Sequence, residues 1–192
     1  MMARRMMARS SFGAALLLLT LACACSGKDP YKPGEPIGTF RVTSKLTKST
    51  CGSVPDPWEF DVRLRREGTT LYWVQGGAPI QGKVDTQSRA QLASELTQVL
   101  RPANERTKTP SCAVTRTDLL DVVLAPGGDI AKTDRFTGTL AYRFTPTSES
   151  DCSDQLLTTG GDFETLPCEV TYSVDGTVLA DPDEKASQGT AK

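Results

Sequence analysis

The chain is 192 residues long, 38% hydrophobic, with 22 basic and 23 acidic side chains and a net charge of −1. It has no histidine, which excludes a Ser-His-Asp triad, a Cys-His pair and any imidazole metal ligand; an enzyme here would rely on carboxylates, Lys or Tyr for proton transfer. No basic stripe exists to neutralise phosphates, so nucleic acid is not expected as a partner, and no motif calls for a cofactor.

Arg4, Arg5 and Arg9 form a positive opening. An apolar run of small and leucine residues follows from Phe12, and small residues then flank Cys23 and Cys25. This is the three-part layout of a secretory signal peptide, and the run is short of the roughly 20 residues that span a bilayer. The cleavage region, Ala22-Cys23-Ala24 before Cys25 and Ser26-Gly27 after it, resembles the lipobox of bacterial lipoproteins. In that family a cysteine preceded by small residues becomes the lipidated first residue. Cys23, after Thr20-Leu21-Ala22, is the competing position; Cys25 is preferred because the polar stretch begins directly after it. The resemblance implies attachment to the membrane through acyl chains. Each buried methylene contributes about 0.8 kcal/mol, and stable attachment takes more than one chain. It also implies the outer membrane, because Ser26 stands where an aspartate favours retention at the inner one. The domain then faces the periplasm or the cell exterior.

Removing residues 1–24 takes away three arginines and no acid, leaving 168 residues with 19 basic and 23 acidic side chains, a net charge of −4. That length suits one domain. Four further cysteines, Cys51, Cys112, Cys152 and Cys168, predict two disulfides in an exported chain. Three pairings are possible, and Cys51–Cys112 with Cys152–Cys168 is the expectation. A zinc site is disfavoured by the absence of CxxC spacing and of histidine.

Residues 25–36 read as the lipidated cysteine and a proline-punctuated polar tether. From Gly38 the pattern alternates: Phe40, Val42, Ser44 and Leu46 share one face of a strand. After a loop from Cys51 to Pro57, Trp58, Phe60, Val62 and Leu64 alternate with Glu59, Asp61, Arg63 and Arg65. A turn at Arg66-Glu67-Gly68 leads to a partner strand at Leu71–Val74, and a turn at Gly76–Pro79 to a short strand at Ile80, Gly82 and Val84. Residues 86–101 fit helical spacing through Leu92, Leu96, Val99 and Leu100, and fit alternation equally well. Local propensity favours helix; the neighbouring meander favours strand, which is the expectation.

Cys112 opens a further strand through Leu124 whose phase shifts near Asp118, as a bulge would produce. A turn at Ala125–Asp129 precedes an alternating run at Phe136, Gly138, Leu140, Tyr142 and Phe144, where Gly138 suggests a bend or a close neighbour. Pro146 to Pro167 is a long acidic loop, Cys168, Val170, Tyr172 and Val174 form a last strand ended by Asp175-Gly176, and residues 180–192 read as a disordered tail. The β domain thus spans residues 37–179.

The prediction is an all-β domain of about eight antiparallel strands, a meander forming a small barrel or sandwich. Its inward set includes Trp58, Phe60, Trp73, Phe136, Tyr142 and Phe144. These either fill the core or line a pocket for a small apolar ligand, as in lipocalin-like carriers; alternation by itself predicts burial. Asp151 and Asp154 lack the ordering of a calcium loop, so no metal is expected. Asp151, Asp162 and Glu164 are the carboxylates on which an envelope hydrolase would depend. The leading expectation is a non-catalytic envelope lipoprotein whose partners are the membrane and an envelope protein or small ligand.

Overall fold

A computed structural model describes residues 29–124 and 129–179. Cys23, Cys25, the signal segment, the first part of the tether, most of the Ala125–Asp129 turn and the tail lie outside the described residues.

Eight strands form an antiparallel meander: β1 (Glu35–Ser49), β2 (Trp58–Glu67), β3 (Thr70–Val74), β4 (Ile80–Val84), β5 (Arg89–Arg101), β6 (Cys112–Leu124), β7 (Arg135–Pro146) and β8 (Cys168–Val178). Each pairs with the next, and β8 pairs with β1, closing a barrel. Of the two expected architectures, the barrel is therefore the one formed. No α-helix occurs among the described residues; short 3-10 turns lie at Ile130–Lys132, Ser153–Gln155 and Leu157–Thr159.

Strict alternation explains the closure. One face of every strand supplies the interior: Phe40 and Val42, Val62 and Leu64, Leu71 and Trp73, Ala90 and Leu92, Leu120 and Val122, Phe136 and Leu140, Tyr172 and Val174 are all buried. Fully burying one such aliphatic or aromatic side chain contributes about 1.5–3 kcal/mol. The glycines on that face let strands and rings approach. Gly138 sits against the Asp121 carbonyl, the close neighbour its position suggested. Gly176 lies under the Phe136 ring, in the space a Cβ would need.

Several expectations need correction. The disulfides are Cys51–Cys168 and Cys112–Cys152, not the expected pairing. Barrel closure sets β8 beside β1, so Cys168 at the head of one strand meets Cys51 just past the end of the other, with Cα atoms 5.0 Å apart. Cys112, at the head of β6, instead reaches the loop that follows β7. The bulge expected near Asp118 is absent: β6 runs in register with β7 from Val114 to Leu124 and with β5 across the same stretch. Arg116 and Asp118 simply occupy inward positions, which disguises the period. β1 begins at Glu35, so Glu35 and Pro36 belong to a strand and not to the tether, with a register shift between Pro36 and Gly38. β8 continues through Asp175-Gly176 to Val178, because both residues pair with β1 and β7. Arg66 and Glu67 are likewise strand residues, and the turn contracts to Gly68-Thr69, with Gly68 at φ 60°. The region expected at 86–101 is strand β5.

The two ends of the barrel differ. One end, here called lower, carries the connections after β2, β4 and β6, the start of β1 and the end of β8. Arg65 holds the incoming chain there through Nε to the Pro33 carbonyl (2.8 Å) and Nη2 to the Gly34 carbonyl (2.6 Å). The upper end carries the loops 50–57, 75–79, 102–111 and 147–167 and both disulfides.

A candidate ligand cleft at the split end of the barrel

The site arises from a mismatch in strand length. β3 and β4 have five residues each, whereas β5 and β6 have thirteen. β4 pairs with β5 only from Ala90 to Ala93, and β3 pairs with β2 only from Arg63 to Glu67. The lower half of the barrel is closed. In the upper half, no strand among the described residues covers β5 from Ser94 to Leu100 on the β4 side, or β2 from Trp58 to Val62 on the β3 side.

A cleft of about 320 Å³ opens in this gap. The turn between β3 and β4 forms one wall, with Gly77, Pro79 and Ile80; Ser94, Glu95 and Leu96 of β5 form another. Trp73, Leu140 and Tyr142 line its floor, beside Arg116 and Asp118. Arg116 forms a fork on Asp118, with Nε at 2.6 Å from one carboxylate oxygen and Nη2 at 3.0 Å from the other. Its guanidinium also lies over the Tyr142 ring, 4.5 Å from the centroid. Burial pushes the Tyr142 phenol well above its ordinary range, against the opposing influence of Arg116, so the phenol stays protonated at neutral pH. The cleft therefore offers an apolar, aromatic floor and one fixed ion pair. Its remaining lining charge is Glu95.

The six aromatics expected to face inward do so, and they divide by role. Trp58 stacks on Phe60 (4.4 Å between centroids) and reaches Tyr172 (5.8 Å) and Tyr142 (6.2 Å). Phe60 meets Trp73, Trp73 meets Phe136, and Phe136 meets Phe40, at 6.1, 5.6 and 5.4 Å. This chain of tilted and edge-on rings belongs to the barrel core. Trp73 and Tyr142 alone of the six also line the cleft. Phe144 packs on Phe163 of the long loop and bridges the main core to the small cluster around Cys112–Cys152.

The acidic loop is held by structural contacts. Asp151 accepts from the Ser153 amide (3.1 Å), which lowers its pKa, and its carbonyl accepts from Arg101 Nη2 (2.7 Å). Asp154 takes Arg101 Nε at 2.7 Å, and that bond holds its carboxyl below the ordinary range. Asp162 and Glu164 are exposed, and the Glu164 amide donates to the Cys51 carbonyl. None of these carboxylates lines the cleft. Among the described residues no group of three or more acidic or cysteine side chains is gathered around a possible metal position.

The sequence assigns no site role to Arg116, Asp118 or Leu96. The disguised period at Asp118 is the signal for the first two: two inward polar residues, spaced by two on one strand, mark a wet or functional stretch of barrel wall. No protein-family model matches the chain, and neither a curated protein nor a solved structure matches it, so its family is left open.

Proposed function

We propose that this protein is a non-catalytic, lipid-anchored binding module of the bacterial envelope, and that the cleft at the split end of its barrel is where it binds. The observation that carries this reading is Leu96. Its side chain points into the barrel, yet it is 59% exposed, because the strand that would cover it stops at Ile80. An inward apolar position left open beside Trp73 and Tyr142 is suited to receive a ligand. The lipocalin-like alternative takes a narrower form here. The linked aromatics are packed into the barrel core, so a small apolar ligand would sit in the cleft and not in a deep calyx. The anchor reading rests on the Cys25 region, and the two disulfides fit an exported, oxidising setting.

The test has two arms. Mass spectrometry of the protein from bacterial envelopes is expected to find acyl chains on an N-terminal Cys25; an unmodified terminus removes the anchor. For the cleft, the mature chain from residue 25, with Cys25→Ser, is titrated with the neutral dye Nile red. Saturable binding is expected, weakened about tenfold or more by Leu96→Arg, which sets a second cation beside Arg116 at a position already exposed to water. Binding unchanged by that substitution would move the site elsewhere.

A further inference from the structure

Resting on the cleft reading, we infer that the natural occupant is an extended polypeptide segment of a partner, which adds a strand to the free edge of β5. The backbone parity of β5 supplies the argument. The Arg89 carbonyl accepts from the Asp85 amide, and the Gln91 carbonyl abuts Gly82 of β4, so the odd-numbered residues direct their backbone groups toward β4. The even-numbered residues face β6: the Ser88 carbonyl accepts from the Leu124 amide, and Ser94, Leu96 and Gln98, opposite Asp118, Arg116 and Val114, continue that phase. Above Ala93 this leaves the N–H and C=O groups of Glu95, Thr97 and Val99 directed into the gap. Unpaired strand edges of this kind are templates for another strand, and natural edges are commonly blunted by lysine, proline or a covering loop. The stretch Ser94–Leu100 has neither lysine nor proline. It also exposes Leu96, Val99 and Leu100, at 59%, 64% and 39%.

A strand laid here continues the line of β4. Its backbone would satisfy those three residues, and alternate side chains would point to Leu96 and the aromatic floor. The chemistry of the guest follows from the edge. Glu95 is the one charged residue between Ser94 and Leu100, and Arg101 beyond it is committed to Asp154 and to the Pro110 and Asp151 carbonyls. An alternating apolar peptide with a basic residue near Glu95 is complementary. A second copy of this chain fits less well. Two-fold pairing about Thr97 sets Glu95 opposite Val99 and Leu96 opposite Gln98, and pairing about Gln98 sets Glu95 opposite Arg101, which Asp154 already holds across the register shift between Val99 and Arg101.

The test uses the same non-acylated mature chain and a synthetic peptide of about eight residues alternating valine and threonine, with one lysine. Amide exchange is followed residue by residue by NMR. Peptide is expected to slow exchange at Glu95, Thr97 and Val99 about tenfold or more while Ser94, Leu96 and Gln98 change little. Thr97→Pro removes a donor that faces the gap and not β6, so it is expected to weaken the peptide about tenfold while leaving Nile red affinity nearly unchanged. A peptide N-methylated on its edge-facing amides gives the same answer without altering the protein: it should fail to bind. The inference is overturned if the three amides are not slowed, or if the N-methylated peptide binds as well as its parent. Slowing that rises with protein concentration in the absence of peptide would assign the edge to self-association and also overturn it. If Nile red binds and the peptide does not, the strand mode falls and the cleft stands; if neither binds, both fall.

Discussion

Gly176 shows how much a single missing side chain can carry. The Phe136 ring lies where its Cβ would project, and the ring itself joins Phe40 and Trp73 in the core's chain of rings. Gly176→Val must displace that ring, and overpacking of this kind costs about 1–3 kcal/mol. A urea denaturation series is expected to show that loss, with an unchanged midpoint contradicting the packing described. Sequence reading took Asp175-Gly176 for a strand end because the dipeptide is a turn signal. Tertiary context overrides it: Gly176 is flanked by Val42 and Phe136 in the closed barrel. At the same scale, the facing of Trp58, Phe60, Trp73, Phe136, Tyr142 and Phe144 was legible from alternation alone. Arg116 and Asp118 were not, because two polar residues at inward positions look like a slip of phase until Tyr142 and the open cleft are seen beside them.

At the scale of elements, β5 illustrates the limit of local signals. Its helix-favouring residues, Ala, Leu, Gln and Glu, are overruled by pairing with β6 along its whole length. The disulfides were legible as a number but not as a pairing, since adjacency in a closed barrel is set by β8 meeting β1. In the chain-entropy model the observed links constrain loops of 117 and 40 residues, worth about 5 and about 4 kcal/mol, where a clip between Cys152 and Cys168 would contribute about 3. The end of β5 is tied down by Arg101, whose fork on Asp154 holds that carboxyl below its ordinary 3.8. A folded-state pKa below the unfolded value means the contribution is full above that ordinary value and is lost as pH falls through the folded one. An NMR titration is therefore expected to place Asp154 below 3.8 and to move it up in an Arg101→Gln variant, with a shallower loss of stability on acidification. An Asp154 titration indifferent to that substitution would contradict the contact.

Across the whole molecule, the two ends of the barrel are unlike. The chain enters and leaves at the lower end, where Arg65 grips Pro33 and Gly34 and the Leu179 amide donates to the Thr39 carbonyl. The cleft opens in the other half, at the end that also carries the two disulfides. The account stands on the barrel being closed below and split above, and amide exchange along β5 in the free protein tests that most directly. It predicts slow exchange at Gln91 and Ala93, which face β4, and at Ser94, Leu96 and Gln98, which face β6, with fast exchange at Glu95, Thr97 and Val99. Equal protection of Glu95, Thr97 and Val99 with Gln91 and Ala93 would mean that the upper edge is covered, and would contradict the account.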